Sequence, residues 1–257
     1  MSRDKGVVKR AIVTPDKHAP LHDKKAISVV CQAIELIKPD IYVDLGDLGE
    51  WGSVSHWQWS RRKRPPLEFQ LPDIEKEISQ VNDGLDLIDK VCKESGVKKK
   101  ILTMGNHELW FDNFVEENPY LQEYTAVNAF KIKDRGYEHH PYGKHVRILG
   151  SKLYAYHGGH YSGVNHTRSH VQNLGVNIVY GHTDDSMKSV VTHLDGPKMA
   201  HSLGCLCKME KDFLKNRQTN WTHNVGVLDI FEDGNFNLNV LTIIDGNTSY
   251  FGEVISA

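Results

Sequence analysis

The chain has 257 residues, 39% of them hydrophobic and 25% charged, with a formal net charge of −2; this globular composition excludes a disordered or membrane-embedded chain and a protein drawn to nucleic acid by overall charge. The length suits one large domain, residues 1–257, with a well-buried core, rather than two independent ones. The opening MSRDKGVVKR is charged and lacks the apolar stretch of a secretion signal, and no later segment approaches ~18 uninterrupted apolar residues, so a cytoplasmic protein with no membrane partner is expected.

Residues 7–13 read as a strand, and residues 24–37 as a helix with Ala26, Ile27, Val30, Ala33, Ile34 and Ile37 on one face, ended by Pro39. Residues 41–43 form a second short strand. Residues 72–91 carry a second helical pattern, with Ile74, Ile78, Val81, Leu85 and Ile88 recurring every three or four positions, and residues 100–104 a third strand. Strands alternating with helices predict right-handed crossovers and a largely parallel sheet. Past Pro119 an irregular or helical stretch leads to a hairpin of residues 147–149 and 153–156 around Gly150-Ser151, and residues 177–180 are another strand. From Ser189 onward short β-runs are broken by Asp195-Gly196, Asp233-Gly234 and Asp245-Gly246, which predicts antiparallel sheet joined by tight turns. No internal repeat, linker-like run or heptad seam is present in the pattern, and the oligomeric state stays open.

Each early strand is followed by potential metal-binding side chains. The first is followed by Thr14-Pro15-Asp16-Lys17-His18, the second by Gly46-Asp47-Leu48-Gly49-Glu50, and the third by Gly105-Asn106-His107-Glu108. The later strands end in Tyr156-His157-Gly158-Gly159-His160 and Gly181-His182-Thr183-Asp184. In open α/β sheets the carboxyl ends of strands form the ligand crevice, so five such loops can converge on one site. Any one cluster by itself is no more than solvated polar residues in a turn; five in order, each after a strand, are hard to obtain by accident. Carboxylate and imidazole donors suit Mn²⁺, Zn²⁺ or Fe ions, and the lack of cysteine in all five clusters argues against a structural zinc site. Cys31 and Cys92 stand alone, and Cys205-Leu206-Cys207 reads as alternate residues of a strand with two small core-facing side chains, preferred over a ligand pair.

The order Asp-x-His, Gly-Asp, Gly-Asn-His-Glu, His-Gly and Gly-His-x resembles the calcineurin-like metallophosphoesterases, over roughly the whole chain, and more closely the compact members often carried by bacteriophages and bacteria. The resemblance implies a four-layer α/β/β/α sandwich of two mixed sheets flanked by helices, carrying two divalent metal ions. Asp16, His18 and Asp47 would hold the first ion, Asp47 would bridge to the second, and Asn106, His157 and His182 would complete the second. His107 would face the scissile phosphate rather than a metal, and a bridging hydroxide, made between ions about 3.5–4 Å apart, would attack phosphorus. Where the family usually has a second histidine after Gly-His-x, this chain has Asp184, followed by Asp185. Direct ligation by Asp184 is the preferred reading; it would let Asp16, Asp47 and Asp184 offset three of the four cationic charges and shift preference toward Mn²⁺ or Mg²⁺ and away from Zn²⁺. Ligation through water is the alternative. Mn²⁺ is the first choice of metal, with Mg²⁺, Fe²⁺ and Zn²⁺ as alternatives.

The Gly-Asp loop lacks the Asp-Arg-Gly continuation of the superfamily's Ser/Thr protein phosphatases and has Glu50-Trp51-Gly52 instead, which argues against a protein phosphatase. Trp51, Trp57 and Trp59, followed by Arg61, Arg62, Lys63 and Arg64, mix aromatic faces with cations, as a nucleotide or single-stranded nucleic acid substrate would need. A solvated basic turn, with the tryptophans packed under it, is the slightly preferred alternative. His160 is within reach of substrate by position, and Tyr161 is explained as easily by packing as by lining a pocket. His22, His139, His140, His145, His166, His170, His193, His201 and His223 have no metal-site spacing and read mostly as surface or packing residues. The expected activity is phosphodiester or nuclease-like hydrolysis, with phosphomonoester hydrolysis or a metal-poor binding scaffold as rivals.

Overall fold

The computed structural model describes residues 6–60, 63–211, 214–215 and 217–257, without the side chains of His56 and Trp57. In chain order its elements are β1 (Val7–Thr14), α1 (Lys24–Ile37), β2 (Ile41–Asp44), α2 (His56–Trp59), α3 (Leu67–Glu94), β3 (Lys99–Thr103) and α4 (Asn106–Glu117). A 3-10 turn (Pro119–Tyr124) precedes α5 (Ala126–Ala129), β4 (Tyr137–His140), β5 (Val146–Arg147), β6 (Leu153–Tyr156), α6 (His166–Leu174) and β7 (Asn177–Tyr180). The chain closes with β8 (Ser186–His193), β9 (Gly196–Leu203), β10 (His223–Phe231), β11 (Phe236–Ile243), β12 (Asn247–Tyr250) and β13 (Glu253–Ser256).

These strands form a six-stranded sheet in the order β11-β10-β1-β2-β3-β4, a five-stranded sheet in the order β5-β6-β7-β9-β8, and the small β12-β13 ribbon. The central pairs β1-β2, β2-β3, β3-β4, β6-β7 and β7-β9 are parallel, whereas β10 and β11 add antiparallel strands at one edge. Side-chain alternation sorts the layers. Ala11, Val13, Ile41, Val43 and Ile101 join Leu153, Ala155 and Val179 in a core between the two sheets. The intervening Ile12, Tyr42 and Leu102 point the other way and pack against the apolar faces of α1, α3 and α4. On the outer face of the second sheet, Tyr156, Ile178 and Tyr180 meet Val171 of α6. The result is a four-layer α/β/β/α sandwich, and strands covered on both faces explain the consecutive apolar residues 11–13 of β1 and 41–43 of β2.

α1 has the bounds expected from its periodicity, and Asp23 caps it by accepting a hydrogen bond from the Ala26 N–H at 2.8 Å. α3 differs: it begins at Leu67, five residues before Pro72. Proline cannot donate to the Glu68 carbonyl, but Glu68 is exposed to water, and the first turn is tied down by Gln70, whose amide donates to the Ser53 carbonyl at 2.8 Å. Cys205-Leu206-Cys207 also differs from expectation. All three residues are fully buried, yet Cys205 and Cys207 form isolated bridges, to Asp16 and His223 and to His22, instead of a strand, because Leu206 donates to the Asp16 carbonyl at 2.7 Å and accepts from the Asp23 N–H at 2.8 Å. Among the described residues no helix is long and apolar enough to cross a membrane.

Candidate metal centre

The loops leaving β1, β2, β3, β6 and β7 are stitched together by backbone hydrogen bonds. Lys17 and His18 donate to the Asp47 carbonyl at 3.0 and 2.9 Å, and Gly181 donates to the His157 carbonyl at 2.7 Å. Side chains then lock loop to loop. His182 N–H donates to Asp16 Oδ2 at 2.7 Å, His107 N–H to Asp47 Oδ1 at 3.0 Å, and His157 Nδ1–H to the Leu45 carbonyl at 2.7 Å. Two glycines permit these approaches: a Cβ on Gly181 would stand 2.0 Å from Asp16 Oδ1, and one on Gly105 would stand 2.0 Å from Asp47 Oδ1. His18, Asp47, His182 and Asp184 all have positive φ, between 47° and 69°. Non-glycine residues in that region are uncommon and are held there only by surrounding contacts.

The histidine ring orientations follow from these bonds. With Nδ1 engaged by Leu45, His157 presents Nε2 to Asn106 Oδ1 at 2.9 Å, Asp47 Oδ2 at 3.4 Å and His182 Nδ1 at 3.3 Å. His182 Nδ1 lies 2.6 Å from Asn106 Oδ1, so four donor atoms from four loops point into one small volume. Beside it, Asp16, His18 and Asp47 bring donor atoms within 4.8 Å of one another, and Asp47 belongs to both groups. His18 faces Asp47 Oδ2 with Nε2 at 3.8 Å and Glu50 Oε2 with Nδ1 at 3.1 Å. Glu50 thereby occupies the outer nitrogen of His18, an arrangement that fixes ring orientation in metal sites.

Three carboxyl groups, Asp16, Asp47 and Asp184, are buried together in this cluster. Burial, reinforced by Asp47 and Asp184, raises the Asp16 carboxyl well above the usual carboxylate range, and burial pushes Asp184 up to about 6. Asp16 Oδ1 and Asp184 Oδ1 are shielded from water and have no hydrogen-bond partner. Crowded carboxylates with orphaned oxygens are expensive unless a cation joins them, so the residues present fit divalent metal.

His107 stands at the edge of the cluster. Its Nδ1 bonds the Glu50 carbonyl at 2.9 Å, its Nε2 is 3.9 Å from Asp47 Oδ2, and its ring packs on Trp110 with centroids 4.1 Å apart. The cleft above is lined by His18, Asp47, Glu50, Asn106, His107, His182, Asp184, Lys211 and Trp221. Lys211 is 9% exposed and donates to Glu50 Oε2 at 2.9 Å, with its ammonium 5.3 Å from the Trp221 ring centroid. Asp185 points away from the cleft: it accepts from Thr183, Ser202 and His166, and His166 in turn accepts from Tyr180. That anchorage, from α6, holds the loop that presents Asp184.

The remaining sequence-derived positions lie elsewhere. Arg61 and Arg62 fall outside the described residues, as does the Trp57 side chain. Arg64 donates to the Val54 carbonyl at 2.8 Å and covers the Phe114 ring, away from the cleft. His160 is exposed and packs against His145 and Tyr156, both at 5.1 Å between centroids. Trp51 is fully buried and stacks on Phe111 and Phe130, whose rings also touch each other, so it is a packing residue rather than a platform for bases. His166 and His170, without spacing to recommend them, are buried members of the hydrogen-bonded layer behind the site. Sequence reasoning assigns no role to Glu50, Glu108 or Lys211, and it reads Cys207 as a core-facing side chain in preference to a ligand. Glu108 had a visible signal, three residues after the helix-starting Gly105. Lys211 had none, since it reaches the site from a segment without periodicity.

A family model described as calcineurin-like phosphoesterase matches residues 10–238, and the chain belongs to that family of metallophosphoesterases. The chain is similar to the Gene 54 protein of Mycobacterium phage D29, at 25% identity over 270 residues covering 96% of this chain and 98% of that protein. Its fold is similar to that of a single-mutant Vps29 from Entamoeba histolytica, with a TM-score of 0.50 at 13% identity, covering 96% of this chain and 99% of that one. A phosphoesterase from E. coli, Yfce, aligns with a TM-score of 0.41 at 15% identity over 90% of this chain and 98% of that one.

Proposed function

We propose that the chain, acting as one catalytic unit, hydrolyses phosphodiesters with two divalent ions, the first held by Asp16, His18, Asp47 and Asp184 and the second by Asp47, Asn106, His157 and His182. The observation that carries this reading is the pair of donor groups sharing Asp47, one of them with Asp47 Oδ2, Asn106 Oδ1, His157 Nε2 and His182 Nδ1 aimed at a common volume. Ions at this site supply charge neutralisation at the phosphoryl oxygens and lower the pKa of water. Mn²⁺ is our first choice for an oxygen- and nitrogen-rich set.

His107 does the proton work in this scheme. Its Nδ1–H is engaged by the Glu50 carbonyl and burial holds the ring down at about 4, so Nε2 faces the cleft unprotonated at rest and takes up a proton before passing it to a phosphoryl oxygen or the departing alkoxide. Lys211 is the one lysine or arginine among the described residues lining the cleft, and Glu50 already offsets its charge. A phosphodiester carries one negative charge where a monoester carries up to two, so such a wall favours the diester. Trp110 and Trp221 offer aromatic surface beside His107 and Lys211, which suits a nucleotide or single-stranded nucleic acid as the source of that diester.

The test is hydrolysis of bis-nitrophenyl phosphate and nitrophenyl phosphate by metal-stripped protein resupplied with Mn²⁺, Mg²⁺, Zn²⁺ or Fe²⁺, alongside His107→Ala. Metal-dependent turnover of the diester, lost by roughly 10²–10⁴-fold in the variant, is expected. Faster turnover of the monoester would overturn the substrate class, and turnover unaffected by His107→Ala would overturn its role.

A further inference from the structure

A cysteine reaches the end of the site assigned to the first metal. Cys207 Sγ, a ring nitrogen of His18 and a carboxylate oxygen of Asp184 lie within 4.8 Å of one another, and all three residues are buried. Asp184 Oδ1 has no hydrogen-bond partner there. The position of Cys207 is set by backbone: Cys205 bridges Asp16, Leu206 N–H donates to the Asp16 carbonyl, and Lys208 N–H donates to the Leu21 carbonyl. The segment thus runs alongside the Asp16–His18 loop.

We propose that Cys207 ligates the first metal as a thiolate, sharing with Asp184 that ion's outer coordination. The proposal rests on the metal-dependent reading above. Binding the ion displaces the thiol proton to solvent, one proton per ion, and a sulfur–metal bond forms. With Cys207 ionised, Asp16, Asp47, Asp184 and Cys207 balance all four charges of two divalent ions. A thiolate is a soft donor, so it moves the first position away from the Mn²⁺ preference of the oxygen and nitrogen donors and toward Zn²⁺, Fe²⁺ or Co²⁺, while the second, built from Asp47, Asn106 and two imidazoles, keeps Mn²⁺ as first choice. The two ends of the centre then differ in metal preference, and a mixed pair is the favoured loading.

The experiment is titration of metal-free full-length protein with Co²⁺, followed by absorbance. A thiolate ligand produces an intense near-ultraviolet sulfur-to-cobalt charge-transfer band, whereas carboxylate and imidazole ligands produce only weak visible bands. The expected result is a charge-transfer band in the wild type and in Cys205→Ser. It should be absent in Cys207→Ser, which still shows visible bands but binds Zn²⁺ at least about tenfold more weakly. Visible bands without a charge-transfer band in the wild type would overturn the thiolate assignment and leave the metal centre standing. A band that survives Cys207→Ser would do the same. Absence of any Co²⁺ binding would instead remove the metal reading on which the proposal depends.

Discussion

Replacing Glu108 with glutamine tests how the Gly-Asp loop is held in place. The fully buried Glu108 carboxylate accepts four backbone hydrogen bonds: from Asp47 and Gly105 at 2.9 and 2.8 Å on Oε2, and from Leu48 and Gly49 at 2.8 and 3.4 Å on Oε1. Glutamine keeps the shape but turns one of the two acceptors into an NH₂ group, which faces two N–H donors. Each buried donor left without an acceptor costs about 1–3 kcal/mol, so the variant should lose about 2–5 kcal/mol, the long Gly49 contact lying at the low end. Out of a total stability of roughly 5–15 kcal/mol this is a large change, easily read by urea unfolding of the metal-free protein followed by tryptophan fluorescence. The same bonds hold Asp47 at φ 47°, so relaxation of the loop should also weaken metal binding about 10–100-fold. A stability loss under about 1 kcal/mol with unchanged metal affinity would mean that the loop is held by its other contacts, and the carboxylate's part in the site would have to be abandoned.

Trp51→Ala should cost about 3–5 kcal/mol, because it empties a fully buried slot beside Phe111 and Phe130; a thermal midpoint close to wild type would contradict the packing role. Acid should destabilise the fold partly through His170, which donates to the His166 carbonyl, accepts from Tyr156 and is held by burial down at about 4 against an ordinary 6.5. The unfolded chain takes up this proton first, so the contribution is complete above pH 6.5 and drains as pH falls toward 4. Near pH ~5 it should lower stability by up to roughly 2 kcal/mol, and His170→Gln should flatten this part of the urea-midpoint profile. If the profile of the variant matched that of the wild type, His170 would not be the group responsible. Asp184→His removes an anion from the first metal's position and should raise the ratio of Zn²⁺ to Mn²⁺ affinity, measured by competitive titration; unchanged preference and affinity would show that Asp184 is not a ligand.

Much of this protein was legible in order along the chain. The period of apolar residues in α1 and the apolar triplets 11–13 of β1 and 41–43 of β2 follow from elements buried on one face or on two, and such patterns need no partner to be read. The five strand-end clusters were visible for the same reason: each is a short motif whose place depends only on the strand before it. Tertiary structure alone decided what lies between those motifs. Trp51 and Arg64 left two readings open, a base-and-phosphate contact or the slightly preferred packed tryptophan and basic turn, and the contacts of Trp51 with Phe111 and Phe130 and of Arg64 with the Val54 carbonyl decided for the second. Lys211 and Cys207 reach the site only because Leu206 pairs with Asp16 and Lys211 with Glu50, contacts that span more than 150 residues and leave no local period in the sequence. Periodicity reports which face of an element is buried; it carries no information on which distant side chain shares that burial, and the chemistry of this centre depends on the second as much as on the first.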